Sequence, residues 1–165
     1  MMNTMKLEIK ALGVNEGFAR SAVAAFALCL NPTFVELSDI KTAVSEAVTN
    51  SIVHAYKKQE GEQMVTIECL ADGDEDGGTI HITVTDGGCG IMDTEKAVLP
   101  FYTTLENDER SGMGFTIMQT FTDDFSIKSE KGKGTLIELT KLVGAEALCA
   151  KNVDSGNREK ERLNA

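Results

Sequence analysis

Cations are scarce in this chain. Sixteen lysines and arginines stand against 26 aspartates and glutamates, a formal net charge of −10. So acidic a surface is repelled by phosphate backbones and anionic lipid, which argues against nucleic acid or a membrane surface as the main partner. A ligand carrying phosphates would need dipoles, backbone amides or a cation to offset the charge. No apolar run approaches the roughly 20 residues of a membrane span, and the opening MMNTMKLEIKA has no apolar core of signal-peptide length. Cys29, Cys69, Cys89 and Cys149 form no Cys-x-x-Cys pair and have no histidine at zinc spacing. They read as reduced, mostly buried thiols of a cytosolic protein, with a disulfide framework as the lesser alternative. The glycine motifs match neither the P-loop nor the dinucleotide fingerprint. The two histidines, His54 and His81, come without a helix hairpin that would present a phosphoacceptor histidine.

What is present suits one domain with a real core: 165 residues, 42% apolar and 25% charged. MKLEIKAL alternates Met5, Leu7 and Ile9 against Lys6, Glu8 and Lys10, the pattern of a half-buried strand at a sheet edge. Asn15 can cap a following helix, FARSAVAAFALCL, which Pro32 stops. That helix is apolar nearly all the way round, so it needs more than one cover. A second helix is expected from Ser38, with Ile40, Ala43, Val44, Ala47, Val48 and Ala55 as its inward stripe. MVTIECLA and TIHITVTD read as strands joined by an acidic, solvated turn. Residues 92–111 read as a long loop with one helical piece near Thr94–Leu99, of the kind that serves as a lid. GMGFTIMQTFTDD reads as a helix with a glycine-rich start, and FSIKSE and TLIELTKL as a hairpin turned by KGKG. Residues 146–165 carry charges, Gly and Asn with almost no apolar anchor, and are expected to be a disordered tail on a domain spanning 1–145. This order predicts a two-layer α/β sandwich: an antiparallel or mixed sheet with helices on one face.

Three segments could converge on one site. In EAVTNSIVHAY, Glu46, Asn50 and His54 are spaced four apart, and the first two border the apolar stripe. Asn50 offers an oxygen that a magnesium ion held by phosphates could use. Glu46 could deprotonate a nucleophile near the terminal phosphate. A solvated helix flank is the ordinary alternative, and His54 reads as a packed, hydrogen-bonded histidine. Asp86 closes an apolar strand and meets Gly87, Gly88 and Gly90, an arrangement suited to a flat group with an exocyclic amine. Alone, it reads first as an Asp-Gly turn. Arg110 and Ser111 precede Gly112, Met113 and Gly114 at a helix start, an anion site or equally a hinge. Arg20 is either a snorkelling side chain or an exposed anchor for a protein partner.

Taken together in this order, EAVTN (46–50), DGGCG (86–90), RSGMG (110–114) and Gly134–Thr135 resemble the N box, two glycine boxes and closing threonine of the Bergerat-fold ATPases, which include gyrase-type topoisomerases and histidine kinases. NEGFARSAVAAF, SEAVTNSIVHAY, DGGCGI and RSGMGFTIM further resemble the anti-sigma F factors of spore-forming Firmicutes, over about residues 5–143. The resemblance implies a Bergerat ATP-binding fold and an ATP-dependent serine kinase that holds a sporulation sigma factor and phosphorylates a small anti-anti-sigma protein. It implies that Glu46 is the general base, that Asn50 ligates Mg²⁺, and that Asp86 binds the adenine amine of ATP or ADP. Gly88 and Gly90 would line the adenine slot. Arg110, Ser111, Gly112, Met113 and Gly114 would cradle the phosphates, and Thr135 would support the adenine end. Arg20 would contact both protein partners, and the first strand and helix would form a homodimer interface. The alternatives are a related switch kinase for a stress-response sigma factor, a histidine kinase catalytic domain, and a non-catalytic nucleotide-gated binding module.

Overall fold

Strict alternation drives the first element. In β1 (Met2–Lys10), Met5, Leu7 and Ile9 turn inward while Lys6, Glu8 and Lys10 stay in water. The computed structural model describes residues 2–56, 63–100 and 112–144. Within them the remaining strands are β2 (Met64–Asp74), β3 (Gly77–Asp86), β4 (Asp124–Glu130) and β5 (Gly134–Gly144). The helices are α1 (Val14–Ala27), α2 (Phe34–Asn50), α3 (Thr94–Ala97) and α4 (Gly114–Phe121). The sheet runs β1-β2-β3-β5-β4, with β1 at one edge as its alternation predicts. Of the two forms expected, antiparallel or mixed, the described strands take the first: every pairing is antiparallel.

One face of the sheet carries the core. The register stacks Ile9 on Val65, Ile67 on Val84, Cys69 on Ile82, and Val84 on Ile137. Ala19, Val23 and Ala27 of α1 and Ile40, Ala43, Val44, Ala47 and Val48 of α2 close over it. Against the expectation of mostly buried thiols, Cys69 is the one buried cysteine among the described residues, Cys29 being half-buried and Cys89 exposed. Burial in this apolar layer pushes the Cys69 thiol up to about 12. The other face of the sheet is polar, with Glu68, His81, Thr140, Lys128 and Glu138 at the surface or close to it.

Three boundaries differ from the sequence expectation. Helix α2 starts at Phe34, not Ser38, because Thr33 and Glu36 form a reciprocal capping box. Glu36 is buried there, and its carboxylate also accepts from Gly144 N–H, tying the helix start to the end of β5. Asn15 does not cap α1. The helix begins at Val14, and the Asn15 amide donates instead to the Lys10 carbonyl. Helix α4 ends at Phe121, because Asp123 accepts from Leu142 N–H and turns the chain into β4. The acidic turn is also tighter than expected, since the two flanking strands extend to Asp74 and Gly77.

Among the described residues, one buried cation interrupts the inner face. Lys141 of β5 is buried and pairs with Asp39 of α2 at 2.9 Å, the two side chains being 8% and 20% exposed. Removing one partner of such a pair strands a desolvated charge. Asp39→Ala is therefore expected to lower stability by about 3 kcal/mol. Lys141→Met removes the buried cation and leaves Asp39 its water, so it should cost under about 1 kcal/mol. Urea midpoints of the two variants check the asymmetry; equal losses would contradict it.

Candidate functional site

Beyond Asn50 the α2 helix does not stop but widens into a π-helical turn, Ser51–Ala55. Such turns redirect side chains and carbonyls without ending the helix. Here the turn frees the Ala55 carbonyl to accept from Cys89 N–H at 2.7 Å. It also brings the Ser51 hydroxyl to Asp86 Oδ2 at 3.0 Å. Asp86 ends β3, 5% exposed, and its other oxygen accepts from Gly88 N–H at 3.0 Å and Thr135 N–H at 3.2 Å. A carboxylate has about four acceptor positions. Three are filled by the protein, which leaves one for a donor from outside. Burial raises the Asp86 pKa above its ordinary 3.8, against the lowering effect of the bonds from Gly88, Ser51 and Thr135.

Glycine is required where the loop after β3 passes the π turn. A β-carbon on Gly88 would meet the Ala55 β-carbon and carbonyl oxygen at 2.4 Å each. Gly90 lies against the Glu130 carbonyl. Gly134, at φ +97, sits so close that a β-carbon would fall 1.9 Å from the Asp86 carbonyl oxygen. Gly134→Ala must displace the strand end that holds Asp86, so it is expected to cost about 3 kcal/mol or more and to abolish ligand binding at Asp86. Thermal unfolding and a nucleotide titration check both; a normally folded, normally binding variant would contradict this geometry.

The amide groups of this loop are largely used up inside the protein. Gly87 N–H donates to the Tyr56 hydroxyl at 3.0 Å, Cys89 N–H to Ala55, and Ile91 N–H to the Ser129 hydroxyl at 2.8 Å. The Tyr56 hydroxyl in turn donates to the Met64 carbonyl, so it ties the end of the π turn to β2 and to the residue after Asp86. At this end the Asp86 carboxylate keeps an acceptor position, and the glycines leave room beside it.

The other end of the site is built where α4 crosses α2. A β-carbon on Gly114 would lie 3.1 Å from Glu46 Oε2 and 3.4 Å from both amide atoms of Asn50. Glu46 and Asn50 thus converge on the backbone that opens α4. The first intrahelical bond of α4 is Ile117 N–H to the Met113 carbonyl, so the amides before it are open to an anion. Gly112, at φ +64, turns the chain into this junction. Arg110 and Ser111 lie outside the described residues. So does most of the expected lid; of its helical piece, Thr94–Ala97 forms and is capped by Asp93. The tail expected over 146–165 is outside them as well. His54 is half-buried in the π turn. Arg20 is remote from these groups, on α1, with Nε 3.6 Å from Glu16 Oε1 and no hydrogen bond to that nitrogen.

The two ends are one site because they share a helix. Asn50 faces Gly114, and its neighbour Ser51 bonds Asp86. The slot therefore joins a buried carboxylate with an acceptor position to spare to the open N-terminal amides of α4. Residues 13–141 match the family model described as histidine kinase-like ATPase domain. The chain is 49% identical over 144 residues to the anti-sigma F factor of Thermoanaerobacter sp. (strain X514), covering 87% of this chain and 96% of that protein. It is 52% identical over 141 residues to the anti-sigma F factor of Clostridium perfringens (strain SM101), covering 86% and 97%.

The chain belongs to the anti-sigma F factors of the histidine kinase-like ATPase family.

The anti-sigma F factor of Anoxybacillus flavithermus is also similar, 47% identical over 150 residues, with 90% of this chain and 99% of that protein covered. A crystal structure of the RsbU and RsbW domains of a Mycobacterium tuberculosis protein shares the fold at TM-score 0.60 and 17% identity. That match covers 85% of this chain and 32% of the larger one. Family membership makes the chain an ATP-binding domain. Asn50 offers a neutral oxygen of the kind that Mg²⁺ accepts alongside phosphates and water. Among the described residues no three His, Cys, Asp or Glu side chains gather to hold a metal by themselves, nor is any helix long and apolar enough to cross a membrane.

The sequence pattern assigns no role to Ser51 or Ser129, and Tyr56 enters it only as part of the His54-Ala55-Tyr56 run. Ser51 was hidden inside an apolar stripe, one turn beyond Ala47. Ser129 shares the inward parity of Phe125 and Ile127 in β4, which was its only signal.

Proposed function

We propose that this chain is an ATP-dependent protein serine kinase and anti-sigma factor: it holds a sporulation sigma factor and phosphorylates the small anti-anti-sigma protein that would release it. The observation that carries the reading is the continuity of Glu46, Asn50 and Gly114 with Ser51 and Asp86. One helix then positions the base of the nucleotide and its phosphates together. Asp86 takes the adenine amine. Gly112, Met113 and Gly114 surround the phosphates, joined by Arg110 and Ser111. Asn50 would hold Mg²⁺, which neutralises phosphate charge when bound. Glu46 receives the proton of the incoming serine hydroxyl as that oxygen bonds to the γ-phosphorus and the bond to the β-phosphate oxygen breaks, releasing ADP. The phosphoserine formed carries up to about two negative charges, and a chain of net charge −10 repels it, so the product leaves.

Arg20, half-exposed at 41%, is the proposed contact for both protein partners, which would make their binding mutually exclusive. Homodimerisation through β1 and α1 accounts for the outward Val14 (82% exposed), Phe18 (57%) and Leu12 (53%), the second cover that an over-apolar helix needs. The work takes place in the cytosol. The test is transcription by RNA polymerase loaded with the cognate sigma factor. Adding this chain with ATP should silence it, and adding excess unphosphorylated antagonist should restore it. Unaffected transcription at saturating protein would contradict the anti-sigma reading.

A further inference from the structure

We infer that Ser129 sets the base specificity of the nucleotide slot by fixing which way the Thr135 hydroxyl points its proton. The inference rests on the ATP-site reading above and adds a positioning residue to it. Asp86, Thr135 and Ser129 form one row across three strands, since Asp86 pairs with Thr135 in the β3–β5 register and Ser129 with Thr135 in the β4–β5 register. The Ser129 oxygen lies 2.8 Å from Ile91 N, 2.9 Å from the Gly134 carbonyl oxygen and 2.9 Å from Thr135 Oγ1. A serine hydroxyl has one proton and two acceptor lone pairs. Ile91 N–H can only donate, so it takes one lone pair. The Gly134 carbonyl can only accept, so it takes the proton. The one capacity left is a lone pair, and Thr135 must donate into it.

That donation uses the only hydroxyl proton Thr135 has. Toward the slot Thr135 can then only accept, and the Asp86 carboxylate beside it also only accepts. The two groups that would meet position 6 of the base are therefore both acceptors. An exocyclic amine, as on adenine, is welcome there, and a 6-oxo group, as on hypoxanthine, meets like polarity. Ser129 does not touch the ligand in this scheme; it acts through Thr135. If Ser129 were only a staple between the glycine loop and β4, its loss would weaken every nucleotide alike.

The experiment compares ADP with inosine diphosphate by calorimetry on the full chain, in wild type, Ser129→Ala and Ser129→Thr. Wild type should prefer ADP. Ser129→Ala frees the Thr135 proton to donate, so the preference should shrink by about fivefold or more. Ser129→Thr keeps a hydroxyl and should keep the wild-type ratio. An unchanged ratio in Ser129→Ala, with both nucleotides weakened equally, would overturn the inference while leaving the ATP site standing. A wild type that binds neither nucleotide would overturn the ATP reading with it. Should Ser129→Ala not fold, Thr135→Val decides: it should weaken ADP and leave inosine diphosphate unchanged, and equal losses would overturn the inference.

Discussion

Glu46→Gln is expected to lower phosphoryl transfer by about 10²–10⁴-fold, the usual worth of a positioned general base. Binding of ADP should change by less than about threefold, because the change keeps the side chain's shape and spares Asp86 and Thr135. Glu46 Oε2 lies against the backbone of Gly114, where α4 begins, and one turn before Asn50. A glutamine there can still fill the space and accept a hydrogen bond, but it cannot take a proton from an attacking hydroxyl. Single-turnover transfer and a nucleotide titration on the same preparation separate the two effects. Parallel loss of binding and transfer would mean that Glu46 holds the phosphates rather than serving as base.

Asp86→Asn should act at the opposite end of the slot and in the opposite sense. Affinity for ATP and ADP is expected to fall by about 10²-fold or more. The new amide can keep its oxygen on Gly88 and Thr135 N–H, while its NH₂ faces Ser51, whose hydroxyl can accept. The fold therefore has a way to absorb the change, but the position left for the adenine amine now presents a donor. The pH dependence follows from the raised pKa of Asp86, whose main cause is burial. An acid whose folded pKa lies above its unfolded value contributes stability that is fully present below the unfolded pKa and is lost as pH rises through the folded one. Without nucleotide, Asp86→Asn should therefore gain stability relative to wild type as pH rises from below the ordinary 3.8 toward neutrality. Nucleotide affinity of the wild type should weaken on acidification, beginning above that ordinary value, and the variant should lose this dependence. Urea midpoints and titrations across that range check both signs; a variant destabilised more at neutral pH than in acid would contradict the burial argument.

How much of this was legible beforehand depends on where the physical signal lay. Glu46 and Asn50 stood out because a polar pair at one-turn spacing borders an apolar stripe. Asp86 stood out because a carboxylate closes an alternating strand and meets glycines. The resemblance to the Bergerat-fold ATPases then joined segments that lie far apart in sequence. The start of α2 was not legible from its apolar stripe, since the stripe begins only at Ile40. Thr33 and Glu36 set the start instead, and Glu36 looks like an ordinary surface acid until its carboxylate is seen to hold Thr33 and Gly144 N–H groups. The end of α4 depends on Asp123 reaching Leu142, a contact between residues 19 positions apart that no local propensity reports. Ser51 and Ser129 were hidden for a related reason. A small hydroxyl on an inward face reads as filler, and its role follows only from what the sheet register and the π turn bring beside it.

On this reading the slot between α2, α4 and the end of β3 delivers the γ-phosphate of ATP to a serine of another protein. The most direct measurement follows labelled γ-phosphate in a mixture of this chain, Mg²⁺ and the purified anti-anti-sigma protein, with the acid stability of the product read out. Acid-stable phosphoserine is expected on the partner and none on this chain. Acid-labile label on this chain would contradict that reading and make the domain a histidine kinase; tight ATP binding with no transfer to the partner would contradict it as well and leave a nucleotide-gated binder.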